Sequence, residues 1–244
     1  QPTAAAQAED AFQHELGMNV TNAITTLEGD SVDVYLFKKA FGRPGAITAN
    51  RIYLAVQEFL LSAVSYNSRF DSVQRGEEHF TAKERYGFDS VFTQELGECS
   101  HCHAYGNNDL LYDAVHPFRN NALDSARVYT DYKDPGRGAI TGNPSDYGLF
   151  KAPSLRNVAV SGPYMHDARY KTLRQVIDFY SDSLQFSPYL ESFMLKHFDK
   201  DSTGAALQHG GMHLSEYDKE ALIDLINSMT DYVYLNNPDL KDPY

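Results

Sequence analysis

Residues Glu98–Tyr105 read ECSHCHAY, and this octapeptide contains both cysteines of the chain. Cys99 and Cys102 are separated by two residues, and His103 follows the second cysteine directly. This C-x-x-C-H spacing is the attachment motif of c-type haem. Two thiols at this spacing can reach both vinyl groups of a haem from a single turn, and the adjacent imidazole then lies beneath the iron. The motif therefore predicts one covalent haem c, with His103 as an axial ligand of the iron.

Two other uses of the cysteines remain open. A zinc site could take both thiols and two histidines, but structural zinc sites usually present a second ligand pair at compact spacing. His209 and His213 have such a spacing, yet they lie far downstream. A redox dithiol is the other alternative, although the βαβ pattern expected around it is missing. Haem attachment is the interpretation that we favour, and it makes His101 an exposed loop residue.

Composition restricts the class of partner. The 33 acidic and 21 basic residues give a net charge of −12, which argues against nucleic acid, because phosphates are bound by Lys and Arg. No apolar run approaches the roughly 18 to 20 residues that a membrane helix needs. The chain of 244 residues is long enough for one large or two small domains. No secretory leader is recognisable at its start, and one could have been removed.

The spacing of apolar residues predicts an all-α fold. Ser31–Phe41 reads as a helix ended by Gly42 and Pro44. Three further helices are predicted after capping residues, and the last of them has Asp218 in position for a capping box. Their apolar faces are Ile52, Ala55, Val56, Phe59 and Leu60 after Thr48; Leu173, Val176, Ile177 and Tyr180 after Thr172; and Leu222, Leu225, Ile226 and Met229 after Ser215.

A long polar segment from Asn107 to Tyr147 lies between the predicted helices. It is rich in Asn, Asp, Gly, Pro and Tyr and contains the turn signals DPGRG and GNPSD. Structureless loops of this length are unusual in a compact domain. We therefore expect a large prosthetic group, rather than packed secondary structure, to organise it.

Beyond the haem motif, the segment FKAPSLRNVAVSGPYMHDARYKTLRQVIDFY (Phe150–Tyr180) resembles the bacterial di-haem cytochrome c peroxidase family, including its MauG-like branch. Members carry a similar stretch downstream of their second C-x-x-C-H. Three upstream segments are similar to the family's link between its two haem domains: LFKKAFG (Leu36–Gly42), NSRFD (Asn67–Asp71) and RGEEHFTAKERYGFDSVF (Arg75–Phe92). The tail YLNNPDLKDPY (Tyr234–Tyr244) resembles the C-terminal extension, so the resemblance runs from end to end.

The resemblance implies a cytochrome c-like haem domain with long irregular loops at 76–231. A residual part of a first haem domain with linker helices precedes it at 1–75, and a C-terminal extension follows at 232–244. The family has two C-x-x-C-H motifs and a tryptophan between its haems, whereas this chain has one such motif and no Trp. Gln1-Pro2 resembles a point inside the first haem domain. We therefore expect a C-terminal fragment, a cleaved form or one half of a split protein, whose second haem belongs to the missing N-terminal part.

For function, the resemblance implies that this chain is the second-haem half of a di-haem peroxidase or MauG-like oxidoreductase. This half would relay electrons to or from a peroxide-reactive haem. The expected partners are hydrogen peroxide, an electron-donor protein or protein substrate, and a companion N-terminal haem-bearing chain. Export to the periplasm is implied as well. Since the family processes peroxide at its first haem, this chain alone is expected to be a poor peroxidase. The alternative function is a mono-haem electron-transfer cytochrome without peroxide chemistry.

Several residues acquire expected roles from the same resemblance. His103 resembles the proximal ligand of the second haem. Glu15, in HELGMN, resembles the glutamate of the peroxide pocket, and the alternative for it is a solvated surface acid. Ser161 and Pro163 resemble positions whose backbone carbonyls help to bind calcium between the two domains. The family's HDG reads His166-Asp167-Ala168 here, so a methyl group replaces a hydrogen at a position usually given to Gly.

Tyr180 is the expected distal ligand of the iron. In the family this ligand comes from the helix after HDG; the ordinary peroxidases have Met there and the MauG-like branch has Tyr. The alternative is a core aromatic, because Tyr180 continues an apolar stripe. The competing ligands are Met165, His166, Met194 and Met212.

Overall fold

The computed structural model describes residues 3–42, 47–94, 96–103 and 117–241, which belong to two compact units. The first unit comprises 1–65 with 237–244, and the second comprises 66–236. The predicted boundaries at 75/76 and 231/232 stay predictions. Parts of other predictions lie outside the described residues, namely Gln1-Pro2, Pro44, residues 107–116 of the long loop and the last three residues of the tail.

The first unit is helical, and its helices begin where a side chain accepts a hydrogen bond from the first turn. Thr3, Asn19, Asp30 and Thr48 supply these caps. The helices are α1 (Ala4–Asp10), which continues as a π-helical turn (Ala11–Glu15), α2 (Val20–Gly29), α3 (Ser31–Phe41) and α4 (Ala49–Ser62), with a short 3-10 turn at Pro238–Leu240. The predicted limits of α3 and the predicted cap of α4 are confirmed.

The buried face of α4 differs from the predicted stripe. Ile52 is buried as expected together with its neighbour Tyr53, whereas Phe59 and Leu60 are each 49% exposed. Helix α1 packs on α4, and the amide of Ala5 donates to Gln57 Oε1 at 3.2 Å. Among the described residues of this unit, Phe59 and Leu60 in the last turns of α4 are therefore only partly covered.

The second unit is also mostly helical, and no described helix is long and apolar enough to cross a membrane. Its α-helices are α5 (Arg69–Gln74), α6 (Ala82–Tyr86), α7 (Gly138–Thr141), α8 (Leu173–Asp182), α9 (Ser192–Leu195), α10 (Glu216–Asn227) and α11 (Tyr232–Leu235). A π-helical segment (Gly87–Phe92) extends α6, and 3-10 turns occupy Cys99–His101, Tyr129–Asp131, Pro144–Asp146 and Val158–Val160.

Short strands correct the all-α prediction. They are β1 (Phe118–Arg119), β2 (Phe150–Lys151), β3 (Leu184–Gln185), β4 (Phe198–Lys200) and β5 (Ala206–Gly210). Strands β1 and β2 pair antiparallel, with Phe118 opposite Lys151, and the other three form an antiparallel sheet in the order β3-β5-β4. At two to five residues these strands are too short to show a clear period-2 pattern, and their backbone hydrogen bonds tie irregular segments together. The fold is thus mostly α with few strands.

The predicted cap of α8 and the predicted capping box of α10 are present, and the cap of α8 also forms a capping box. Thr172 with Gln175 starts α8, and Ser215 with Asp218 starts α10. The prediction for α10 is wrong in two details. Met229 lies beyond the end of this helix, and α11 follows it, so α10 is not the last helix. Helices α8 and α10 pack on each other within a core of buried residues: Phe70, Phe88, Val91, Phe92, Ile177, Leu214, Leu222, Leu225, Ile226 and Met229. A second cluster contains Ala122, Leu123, Phe179, Leu184, Leu190, Met194 and Phe198.

Candidate haem-binding site

A cavity of ≈ 500 Å³ in the second unit collects most of the predicted site residues. Its walls are largely apolar and come from α8, α10 and the segments around β1, β2 and the Cys-rich turn. The predicted residues that line it are Cys99, Cys102, His103, Ser161, Pro163 and Tyr180. Glu15 is not among them; it is an exposed residue at the end of the π-helical turn of the first unit.

The C-x-x-C-H motif forms a tight turn at the cavity wall. The amides of Cys102 and His103 both donate to the carbonyl of Cys99, at 3.2 and 2.9 Å. His103 Nδ1 lies 2.9 Å from the carbonyl oxygen of Pro153. A carbonyl can only accept a hydrogen bond, so Nδ1 carries the proton, and Nε2 is the nitrogen with a lone pair for a metal. A backbone partner of this kind fixes the orientation of a ligating imidazole.

Helix α8 contributes its predicted apolar face. Leu173, Val176, Ile177 and Tyr180 all line the cavity, as their common stripe required. Desolvation raises the pKa of Tyr180; a hydrogen bond from Asn121 opposes this, and the nearby thiols of Cys102 and Cys99 raise it further. Burial likewise raises the pKa of the Cys99 thiol to about 12. The phenol of Tyr180 and the thiols of Cys99 and Cys102 thus line one cavity.

The competing ligands line the same cavity. Met165 Sδ accepts from Asn121 Nδ2 at 3.6 Å, and the ring of His166 stacks on Phe150 with centroids 3.7 Å apart. Met194 is 4% exposed and belongs to the second cluster, whereas Met212 packs against the first. The ring face of His166 is therefore covered by Phe150. Met165 and Tyr180 both accept a hydrogen bond from Asn121.

One edge of the cavity is polar, and sequence reasoning missed it. Glu98 and His197 line it with exposed side-chain fractions of 8% and 10%, and Glu98 Oε2 lies 3.5 Å from His197 Nε2. Burial would raise the pKa of Glu98, but the hydrogen bond and charge of Lys196 outweigh it and the pKa is lowered. Burial lowers the pKa of His197 against the opposing charge of Glu98. Glu98 could have been noticed because it precedes Cys99; nothing in the sequence marks His197.

These features fit haem c. The cavity offers two thiols and an oriented imidazole nitrogen, with an apolar interior that suits a porphyrin ring. At the polar edge of this cavity, the buried atoms Glu98 Oε2 and His197 Nε2 face each other at 3.5 Å. Two basic residues also line the cavity, namely Lys151 and Arg119, whose guanidinium pairs with Glu191.

The calcium prediction stays a prediction. Ser161 and Pro163 lie on the cavity wall, in the turn after the 3-10 segment Val158–Val160. Within the described ranges, no three or more His, Cys, Asp or Glu side chains are grouped so that they could hold a metal ion. The two carbonyl positions are thus present, without a carboxylate cluster in the described part of the chain.

The chain is similar in sequence to known haem proteins. Residues 1–79 match the family described as di-haem cytochrome c peroxidase. The methylamine utilization protein MauG of Paracoccus denitrificans is 32% identical over 160 residues, which is 59% of this chain and 41% of that relative. The cytochrome c551 peroxidase of Pseudomonas aeruginosa is 28% identical over 175 residues, 70% of this chain and 49% of the relative. The chain thus spans about half the length of these curated relatives or less.

A solved structure covers nearly the whole chain. It is a MauG-like protein associated with microbial copper homeostasis, 27% identical, and its match covers 99% of this chain and 72% of that one at a TM-score of 0.77. The fold, mostly α with short strands, is therefore similar to that of this MauG-like protein.

Proposed function

Because the chain belongs to the di-haem cytochrome c peroxidase and MauG-like family of oxidoreductases, we propose that it is the part of such an enzyme that carries the second haem. In this proposal haem c is attached through Cys99 and Cys102 and held between His103 and Tyr180. The observation that carries the proposal is the cavity that gathers these four side chains on apolar walls.

When bound, haem c supplies one-electron chemistry at its iron. The chain's own residues decide how that chemistry is tuned. The carbonyl of Pro153 holds His103 Nδ1, which leaves Nε2 as the nitrogen that would bind the iron, and the apolar face of α8 excludes water. Tyr180 would supply a hard, anionic oxygen as a second ligand. Such a ligand favours Fe(III) and lowers the reduction potential, whereas a thioether from Met would raise it.

The wider reaction follows from the family. The proposed role is to relay electrons between a partner and a peroxide-reactive haem on another segment or polypeptide. The partner is an electron-donor protein or a protein substrate, and the net charge of −12 suits a basic one. We place the protein in the periplasm, with Glu15 serving the peroxide pocket and Ser161 and Pro163 serving a calcium ion. The single C-x-x-C-H motif favours a second candidate function, a mono-haem electron-transfer cytochrome.

The test of the proposal is Tyr180→Phe in the haem-loaded chain, because this change removes only the phenolic oxygen. We expect altered ferric absorption and electron paramagnetic resonance spectra and a higher reduction potential, since an anionic ligand to Fe(III) is lost. Tyr170→Phe is the matched control; Tyr170 packs on Phe179, with ring centroids 5.8 Å apart, and is not among the described residues that line the cavity. Unchanged spectra in Tyr180→Phe would eliminate Tyr180 as ligand and favour the ordinary peroxidase or electron-transfer function.

A further inference from the structure

Asn121 lines the cavity beside Tyr180 and Met165 and contacts both of them. Its Nδ2 donates to Tyr180 Oη at 3.4 Å and to Met165 Sδ at 3.6 Å. The nitrogen of a primary amide carries two hydrogens, so one group can serve both acceptors. We propose that Asn121 is a positioning residue for the distal ligand: its amide holds the phenolic oxygen of Tyr180 in place and raises the reduction potential of the haem. This inference rests on the proposed ligation by Tyr180.

The backbone on either side of Asn121 is firmly held. The side chain of Asn120, 3% exposed, accepts from the amide of Ala122 at 3.0 Å and donates to Tyr132 Oη at 2.8 Å. The carbonyl of Ala122 accepts from the amide of Gln185 at 2.8 Å. The neighbours of Asn121 are thereby anchored to β3 and to a buried hydroxyl. An amide on such a support keeps its direction toward the cavity, which is what a positioning residue needs.

Met165 determines which end of the amide faces the cavity. A thioether can only accept, and a phenolate bound to iron has no proton to donate. Both neighbours therefore select the Nδ2 end of Asn121, and the Oδ1 end is disfavoured at both. Met165 itself has φ = 72°, a left-handed conformation that is uncommon for a non-glycine residue. The amide of Ala168 donates to the carbonyl of Met165 at 3.2 Å, which supports this backbone conformation.

The expected consequence is electrostatic. A hydrogen bond donated to the phenolate oxygen withdraws electron density from it and weakens its donation to Fe(III). The ferric state is then less strongly stabilised relative to the ferrous state, so the reduction potential rises. A hydrogen bond to a charged acceptor is stronger than one to a neutral acceptor, so its loss should shift the reduction equilibrium about tenfold toward the ferric state, or about 59 mV for one electron.

The experiment compares Asn121→Leu and Asn121→Asp in the haem-loaded chain by midpoint potential and ferric spectra. Asn121→Leu removes the donor, and we expect the tenfold shift with oxygen ligation retained. Asn121→Asp replaces the donor by an anionic acceptor and should lower the potential further. Met165→Leu leaves the amide in place but free to rotate, so it should lower the potential by less and keep the ferric spectrum.

A parallel measurement of Tyr180→Phe distinguishes a failure of the proposed Tyr180 ligation from a failure of the proposed role of Asn121. If Tyr180→Phe alters the ferric spectrum while Asn121→Leu leaves the potential unchanged, the inference about Asn121 is overturned and ligation by Tyr180 stands. If Tyr180→Phe changes nothing, the ligation fails and the role of Asn121 fails with it. A ligand change in Met165→Leu would make Met165 the ligand and overturn the inference. Should Asn121→Leu not incorporate haem, Asn121→Ala removes the amide without adding bulk, and its potential decides in the same way.

Discussion

At the scale of single residues, two side chains of the cavity contact partners that are remote in the sequence. Pro153, whose carbonyl contacts the imidazole of His103, is fifty positions from it, and Asn121 is fifty-nine positions from Tyr180. The two thiols and the histidine of the haem motif, by contrast, are neighbours in the sequence. The remote pairs depend on the fold, and a single sequence carries no local pattern for them.

Gly211 is a residue whose role only the structure reveals. A Cβ added there would lie 1.9 Å from the carbonyl oxygen of Ser181, next to Tyr180 at the end of α8. The amide of His213 donates to this same carbonyl at 2.8 Å. Gly211→Ala must therefore displace backbone, because no flexible side chain is there to yield. We expect a loss of about 2 kcal/mol in unfolding free energy, typical of overpacking, measured by denaturant unfolding of the haem-loaded chain.

Gly204→Ala is the control for backbone strain alone. Gly204 has φ = 84°, but an added Cβ meets nothing within 4 Å. Its expected cost is about 1 kcal/mol, the conformational penalty of a left-handed alanine. If Gly211→Ala costs no more than Gly204→Ala, the contact with Ser181 is not the constraint that we infer.

At the scale of elements, helix starts were the best-predicted feature. Thr48, Thr172 and Ser215 cap the helices that they were expected to cap, because a cap and its first turn are contained in four consecutive residues. Strands of two to five residues escaped prediction, since their pairing depends on distant segments. The stripe of α4 failed for a related reason. Apolar spacing shows which side chains share a face, and the buried part of that face depends on what packs there.

The capping box of α10 makes a pH-dependent prediction. Asp218 is 7% exposed; its carboxylate accepts from the amide and hydroxyl of Ser215, at 2.8 and 2.6 Å, and from Tyr86 Oη at 2.7 Å. Burial alone would raise the pKa of Asp218, but these hydrogen bonds outweigh it and the pKa is lowered. The unfolded value is about 3.9, so this stabilisation is complete above about pH 4 and is lost as the pH falls through the folded pKa.

Asp218→Asn should therefore destabilise the protein by about 1–2 kcal/mol at neutral pH, the combined effect of the cap and the charged acceptor. The difference from the parent should shrink as the pH falls below about 4, because the parent then loses its carboxylate as well. Tyr86→Phe is the matched control, since it removes one hydrogen bond and leaves the cap intact. Unfolding curves at several pH values measure both variants. A pH-independent difference would contradict the role assigned to the charge.

At the scale of the whole molecule, the class of protein was predictable and its internal organisation was not. The haem motif and the segment Phe150–Tyr180 led to the family that the comparisons support. In the long polar segment, the described residues 117–147 contain β1, α7 and two 3-10 turns, and Arg119 and Asn121 from it line the cavity. Turns of this kind are stabilised by contacts with the rest of the unit, and those contacts join residues that are distant in the sequence.

The last prediction concerns what the chain does alone. Two cysteines provide one C-x-x-C-H site, so we expect one haem per chain, attached by thioethers and resistant to acid–acetone extraction. In the proposed function His103 and Tyr180 would both hold this haem, so we expect peroxide to react at the other haem of the enzyme instead. Turnover of hydrogen peroxide with a reduced cytochrome should then be close to background. Intact mass gives the haem count, and Tyr180→Phe is an informative companion because it removes the proposed second ligand of the iron. Robust turnover by the unmodified 244-residue chain would show that one haem suffices and would contradict the proposed division of labour.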